Sequence, residues 1–135
     1  MKEVNKTQIP FSLSEDFTKE NSVWKNDKYV MCKGVVNDTY YIGHESEEVE
    51  EEQPDGAKLT KTVCRAFAIE VRKGATKADI INTAEMIAYD LKNAMEVASF
   101  NASLSRKYRE NSKDEECKEH DEFIKWVKQE LNEIL

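Results

Sequence analysis

A turn signal, Pro54-Asp55-Gly56, separates an acidic run from a long stretch with the composition of a β-strand. Proline presets its own φ, aspartate hydrogen-bonds back to the backbone and glycine accepts positive φ, so the three favour a tight reversal of the chain. Folding back with Glu52 opposite Ala57 puts glutamate against lysine near the tip and apolar against apolar near the base. The predicted pairs are Glu51–Lys58, Glu48–Lys61, Ile42–Phe67 and Tyr40–Ile69. Such pairs stabilise a hairpin by roughly 0.2–1 kcal/mol each, so residues 44–60 are predicted to form a projecting β-hairpin arm.

Negative charge is concentrated in this arm. The formal net charge is −7, and residues 44–56, HESEEVEEEQPDG, hold seven of the 27 acidic residues; the other acidic residues balance the 20 basic ones. Two functions are predicted for the arm: docking into a basic groove of a partner or second copy, or mimicry of nucleic-acid phosphates. The structural alternative is a solvated arm whose charges protect a sheet edge from aggregation. The predicted contact residues are Glu45, Glu47, Glu48, Glu50, Glu51 and Glu52.

Strand-like composition extends on both sides of the acidic run. KYVMCKGVV (28–36), TYYIG (39–43) and KLTKTVCRAFAIEV (58–71) are rich in β-branched and aromatic residues, which is typical of strands. They predict a small antiparallel sheet of about three strands over residues 28–72. Residues 1–27 are polar with scattered apolar side chains and are predicted to form an extended N-terminal arm, with one helical turn from Ser14.

The second half of the chain has helical periodicity. Thr76 and Asp79 form a capping box, and the helix that follows is predicted to run to about Tyr108. Ser112 and Glu115 form a second capping box, which opens the last helix. The predicted apolar face of the first helix is Ile80, Ala84, Ile87, Leu91, Ala94 or Met95, and Ala98. The predicted stripe of the last helix is Cys117, His120, Ile124, Val127, Leu131 and Ile134.

The long helix has a second apolar stripe that must be covered by another surface. The stripe consists of Val97, Phe100, Leu104 and Tyr108. A helix of some thirty residues would be about 45 Å long and would overhang a three-stranded sheet. The stripe therefore predicts self-association or binding of a protein partner.

Signatures of catalysis or cofactor binding are missing from the sequence. It has no phosphate-binding glycine motif, and Cys117-x-x-His120 matches none of the usual zinc spacings. SRKYREN (105–111) is interpreted as solvated charge at a helix end. We therefore predict no enzyme, no metal, no cofactor and no direct nucleic-acid binding.

These observations predict one α+β domain spanning residues 1–135, in which two C-terminal helices (76–135) pack on the sheet. No apolar run reaches membrane-span length and the N-terminus has no signal-peptide pattern, so a cytoplasmic protein, or one in an intracellularly assembled particle, is expected. The predicted function is non-catalytic protein–protein interaction or assembly with itself or another protein; by fold-level analogy this includes structural components of virions or other mobile-element assemblies. The alternative is an acidic inhibitor of a basic nucleic-acid-binding protein.

Overall fold

The computed structural model describes residues 2–9, 21–26 and 28–135. The chain forms two compact units. Residues 6–73 form the sheet unit, and residues 74–135, together with the described residues up to Asn5, form the helical unit. The protein has an α+β fold, as predicted. The single-domain organisation and the packing of helices on the sheet stay predictions.

The sheet unit contains one antiparallel sheet of five strands in the order β1-β5-β4-β3-β2. The strands are β1 Thr7–Ile9, β2 Ser22–Lys25, β3 Lys28–Lys33, β4 Asn37–Glu52 and β5 Lys58–Arg72. The prediction of about three strands is therefore wrong. The two missed strands are only 3 and 4 residues long, too short for an alternating pattern to stand out in the polar N-terminal segment.

Aromatic side chains build the core on one face of this sheet. Tyr29 is buried with Ile9 and Cys64, and its ring centroid lies 5.4 Å from that of Trp24 and 5.2 Å from that of Tyr41. Burial raises the pKa of Tyr29 to about 12. The N-terminal segment contributes to this core through Ile9, which pairs with Cys64. The other predicted anchors, Phe11, Leu13 and Phe17, and the turn from Ser14 lie outside the described residues.

The helical unit contains three helices among its described residues rather than the two that were predicted. They are α1 Lys77–Ala88, α2 Ala94–Glu110 and α3 Glu115–Ile134. The capping box at the start of α1 is confirmed: Asp79 N donates to Thr76 Oγ1 (3.2 Å) and Thr76 N donates to the Asp79 carboxylate (3.0 Å).

The predicted long helix is broken between α1 and α2. Asp90 adopts a left-handed conformation with φ of 53°, which ends α1. Asn93 then caps α2 by accepting from Glu96 N (2.9 Å), and the Glu96 carboxylate accepts from Lys92 N (2.7 Å). The 45 Å helix that was expected to overhang the sheet does not exist. Met95 and Ala98, which were assigned to its core face, are exposed.

The last helix also begins at a different residue from the one predicted. Its N-cap is Asp114, whose carboxylate accepts from Cys117 N (3.1 Å), so the predicted capping box from Ser112 to Glu115 is wrong. The buried residues of α3 are Cys117, Phe123, Val127 and Leu131. Phe123 takes the central buried position that the predicted stripe gave to Ile124, one residue further round the helix.

Candidate functional site

The acidic arm is the outer half of the hairpin formed by β4 and β5. At its tip, Gln53 N donates to Ala57 O (2.7 Å) and Gly56 N donates to Gln53 O (2.9 Å). Gly56 has φ of 85°, and the Asp55 carboxylate accepts from Ala57 N (3.0 Å). β4 and β5 thus pair as an antiparallel hairpin up to this turn; that the hairpin projects as an arm stays a prediction. The loop, however, is one residue longer than in the predicted fold-back: Glu52 lies opposite Lys58, whereas the prediction had placed Glu52 opposite Ala57.

This longer loop shifts the pairing of the arm by one residue. Glu52 pairs with Lys58, Val49 with Lys61 and Glu48 with Thr62. The predicted opposed pairs Glu51–Lys58 and Glu48–Lys61 are therefore wrong. At the base, Ile42 pairs with Phe67 and Tyr40 with Ile69, as predicted.

A β-bulge accounts for the one-residue difference between the register at the base of the hairpin and the register near its tip. Between the pairs Ile42–Phe67 and Glu45–Arg65, β4 has two residues, Gly43 and His44, where β5 has one. Gly43 has φ of 64°, a conformation that glycine adopts without steric cost, as in bulges of the G1 type. His44 Nε2 donates to the carbonyl of Tyr29 (3.0 Å), which ties the bulge to β3.

Because successive strand residues point to opposite faces, the register gives the arm two different faces. The paired face carries Glu45, Glu47, Val49 and Glu51 from β4 and Leu59, Lys61, Val63 and Arg65 from β5. The acidic face carries Ser46, Glu48, Glu50 and Glu52 from β4 and Lys58, Thr60, Thr62 and Cys64 from β5. Three of the four cross-strand pairs on the paired face thus join a charged residue to an aliphatic one, whereas the acidic face is lined mainly by carboxylates and hydroxyls.

Ion pairs neutralise the paired face. Glu51 lies 2.8 Å from Lys61, Glu47 lies 3.2 Å from Arg65, and Glu45 lies 2.7 Å from Lys6. The Arg65 guanidinium also donates to the carbonyl of Lys6 (2.7 Å). The root of the arm is therefore fixed to the segment that enters β1.

The acidic face keeps most of its charge. Its one ion pair among the described residues is the 3.7 Å contact between Glu50 and Lys58. Within the same part of the chain, Glu48 and Glu52 take part in no ion pair. Spacing of two residues puts these three carboxylates about 7 Å apart along one strand. This face can accept a row of cationic side chains.

The helical unit contains a second polar feature, a buried acid–base pair. His120 Nε2 donates to the Glu85 carboxylate at 2.8 Å, and these side chains are 15% and 9% exposed. Asn101 Nδ2 donates to the other Glu85 oxygen (3.3 Å). Tyr89 packs on the His120 ring at 5.7 Å, and burial, together with the Glu119 and Glu85 carboxylates, raises the pKa of Tyr89 to about 12. Nothing in the sequence pattern marked Glu85, which lies beside Ala84 on the buried face of α1.

A cleft of about 530 Å³ opens along α2 and α3 next to this pair. Its lining comprises Asn101, Leu104, Ser105, Tyr108, Arg109, Cys117, His120 and Asp121. The cleft brings together Cys117 and His120, the candidate metal ligands of the sequence. Cys117 Sγ donates to the carbonyl of Leu104 (3.2 Å), and burial and the Asp114 hydrogen bond raise the thiol's pKa. No group of three or more potential metal ligands occurs within residues 2–9, 21–26 and 28–135.

The predicted self-association stripe on α2 is only partly open. Leu104 is buried, and the Phe100 ring packs on Tyr89 at 4.7 Å between centroids. Val97 is half-buried, while Tyr108 is 56% exposed. Inside the helical unit, the stripe thus serves partly as core.

Comparisons with known proteins give no family assignment. No protein-family model, curated protein or solved structure matches the chain. Across the described part of the molecule, no helix combines the length and apolar character needed to cross a membrane.

Proposed function

We propose that this chain is a non-catalytic interaction and assembly protein, and that the acidic face of the arm is its docking element. The observation that carries the proposal is the asymmetry of the two faces. The acids of the paired face are matched by Lys6, Lys61 and Arg65, whereas Glu48 and Glu52 find no cation among the described residues. The structural alternative, a solvated arm whose charges protect a sheet edge from aggregation, predicts no discrete partner for this face.

The partner is a protein with a basic groove rather than a nucleic-acid-binding protein captured by mimicry. Duplex DNA carries one negative charge per about 1.7 Å of its helix axis, whereas the acidic face carries one carboxylate per about 7 Å along a single strand. The hairpin also carries three cations of its own, Lys58, Lys61 and Arg65. These would repel a surface built to hold phosphates. The inhibitor function remains the alternative, and it predicts binding that weakens steeply with salt.

Self-association through α2 belongs to the same proposal. Tyr108, at 56% exposure, and the half-buried Val97 are the side chains of the stripe that a neighbouring molecule reaches. Such a contact would survive high salt, since it depends on apolar burial.

Site-specific photo-crosslinking tests the docking proposal. A photoreactive amino acid replaces Thr60, on the acidic face, or Leu59, on the paired face, in cells that express the chain natively. We expect the Thr60 position to give discrete protein adducts that the Leu59 position does not give. Mass spectrometry of the adducts identifies the partner and shows whether the attached peptide is basic.

Two matched triple variants provide the control. Glu48→Gln, Glu50→Gln, Glu52→Gln removes three charges from the acidic face and should abolish the adducts. Glu45→Gln, Glu47→Gln, Glu51→Gln removes three charges from the paired face and should leave them. Adducts that respond equally to both triples, or none from either position, would rule out the acidic face as a docking element.

A further inference from the structure

The outer edge of β4 is open along the acidic arm. Within the described residues, β3 pairs with β4 only from Asp38 to Tyr40, and the sheet order places no other strand beside that edge. From Ser46 to Glu52, β4 therefore has a described strand neighbour on one side alone, which is β5. Every second residue of such an edge directs its backbone N–H and C=O away from the sheet, so an extended segment of another chain can add to it.

The register identifies the residues that direct these groups outward. Gln53 N donates to Ala57 O (2.7 Å), so these two residues form a hydrogen-bonded pair of the hairpin. Hydrogen-bonded and non-hydrogen-bonded pairs alternate along an antiparallel ladder. Glu52, Glu50 and Glu48 lie one, three and five residues before Gln53 and fall in the non-hydrogen-bonded pairs. Their backbone N–H and C=O groups therefore point away from β5.

A hydrogen bond at the other end of the hairpin gives the same result. Lys73 N donates to Val36 O (3.1 Å), so the odd-numbered residues of β5 direct their backbone groups toward β4. Thr60, which lies opposite Glu50, is even-numbered and directs its backbone groups away from β4. The pair of Thr60 and Glu50 is therefore a non-hydrogen-bonded one.

These three glutamates combine an outward-pointing peptide group at the edge with a carboxylate on the acidic face. Glu48, Glu50 and Glu52 are all exposed, and two of them, Glu48 and Glu52, form no ion pair among the described residues. A residue that exchanges hydrogen bonds with one of them in an added antiparallel strand has its side chain on the same face, with the Cα atoms about 5.5 Å apart. Alternate residues of the added strand therefore meet three successive carboxylates.

We propose that the acidic arm binds an extended segment of a partner protein by strand addition to the outer edge of β4, and that this segment carries arginine or lysine at every second position. The inference rests on the proposed function, because it names the recognition mode and the partner chemistry of the same docking element. The residues between the cations lie on the paired face beside Val49, where Lys61 and Arg65 already match the neighbouring acids. These positions therefore suit uncharged residues of high strand propensity.

A second copy of this chain does not supply such a segment. Its sequence contains no three cations at every second position, and the nearest match is the pair Lys107 and Arg109 within α2. A second β4 is disfavoured by its own glutamates, because like charges directly opposite each other destabilise a pair of strands. The segment therefore belongs to a different protein.

Fluorescently labelled peptides with blocked ends test the inference. The probe has seven residues, threonine with arginine at the second, fourth and sixth positions. Its control has the same composition and charge, but the three arginines are adjacent at its centre. Fluorescence anisotropy at low salt measures the binding of each peptide to the full chain. We expect the alternating peptide to bind at least about tenfold more tightly, because only its three arginines can all face the row of carboxylates in one strand.

Methylation of the peptide nitrogens distinguishes strand addition from attraction between charges alone. N-methyl groups on the three arginines remove the donors that face β4, whereas N-methyl groups on the intervening threonines change only nitrogens that face away from it. The charge of the peptide is the same in both cases. We expect the first modification to weaken binding at least about tenfold and the second to leave it within about twofold.

Amide hydrogen exchange, followed by NMR on the full chain, gives a residue-specific measurement. In the free chain, the amides of Glu48, Glu50 and Glu52 should exchange quickly, whereas that of Val49, which faces β5, should be protected. Addition of the alternating peptide should slow exchange at the three glutamates. Attraction to the side-chain carboxylates alone would not protect these amides.

Two other outcomes separate this inference from the proposed function. Equal binding of all four peptides, without protection of the three glutamate amides, would mean that the acidic face attracts cations without strand addition. It would overturn the inference and leave the arm as a docking element. Failure of the alternating peptide to bind at millimolar concentration would also overturn the inference, and the crosslinking experiment alone would then decide whether the acidic face docks on a partner.

Discussion

Lys61 Nζ lies 2.8 Å from the carboxylate of Glu51, which is its diagonal neighbour across the hairpin. The position directly opposite Lys61 belongs to Val49. Diagonal neighbours in a sheet are about 7–8 Å apart at the backbone, a distance that lysine and glutamate side chains span. Lys61 and Arg65 thus pair diagonally on the paired face, which leaves Lys58 as the arm's one β5 cation on the acidic face.

A double-mutant cycle tests this pairing. Lys61→Met combined with Glu51→Gln should give a coupling of about 0.2–1 kcal/mol in the free energy of unfolding, as expected for a half-exposed pair. Lys61→Met combined with Glu48→Gln should give almost none, because these residues lie on different faces. Urea denaturation at low salt measures both. A coupling of Lys61 with Glu48 that is larger than its coupling with Glu51 would support the register predicted from the sequence, in which Glu48 lies opposite Lys61.

The bulge glycine should be intolerant of a side chain. Gly43 has φ of 64°, and a left-handed conformation costs other residues about 1–2 kcal/mol. Gly43→Ala should lower the free energy of unfolding by that amount. Ser46→Ala, in the same strand but exposed, should change it by less than about 0.5 kcal/mol. Thermal or urea unfolding compares the two variants, and equal effects would mean that the bulge at Gly43 does not cause the shift in register.

The buried pair in the helical unit should be important for stability. Glu85→Ala leaves the largely buried His120 ring without its acceptor, and a buried donor without a partner costs about 1–3 kcal/mol. Glu85→Gln keeps one carbonyl acceptor and should cost less. The exposed residue Glu119 supplies the control: Glu119→Ala should have almost no effect. Circular dichroism during urea titration measures all three, and a neutral Glu85→Ala would mean that the pair is not formed in solution.

The sequence predicted the hairpin from charge and apolar matching, and this was sufficient for the base. Ile42 and Phe67 can meet only in the register that buries both. Near the tip, charge matching allowed both direct and diagonal pairs, so it could not distinguish two registers one residue apart. The signal that was missed is Gly43, since a glycine within a strand pattern often marks a bulge.

The break between α1 and α2 was missed for a similar reason. Apolar spacing continued through the region, and periodicity alone does not reveal one left-handed residue. The overlooked local signal was Asn93 followed three residues later by Glu96, a helix start inside a helical pattern. The buried pair of Glu85 and His120 had no such signal, since its partners are 35 residues apart in sequence.

Removing the Tyr89 hydroxyl should stabilise the helical unit. The hydroxyl is buried and has no hydrogen-bond partner among the described residues, so Tyr89→Phe should raise the free energy of unfolding by about 1 kcal/mol at neutral pH. Tyr108→Phe, at an exposed tyrosine, should leave it unchanged within about 0.5 kcal/mol.

The same substitution should alter the response to alkali. The pKa of Tyr89 is about 12 in the folded chain against an ordinary value of 10.0. Between these values the unfolded chain has released the proton and the folded chain still holds it. Stability is therefore lost as pH rises from 10 to 12. Tyr89→Phe should lose less stability over this range than the native chain, and a parallel decline in both would show that Tyr89 does not contribute.

The more deeply a cysteine is buried, the more slowly its thiol should react. The same measurement tests whether Cys117 is accessible for metal binding or catalysis. Burial raises the pKa of both Cys64 and Cys117, so less of the reactive thiolate is present at pH 8. Cys32 is only half-buried and should be alkylated first by iodoacetamide, with the other two reacting at the rate of unfolding. Peptide mapping by mass spectrometry measures the order. Rapid alkylation of Cys117 would mean that the reagent reaches this thiol through the cleft along α2 and α3 without unfolding of the chain.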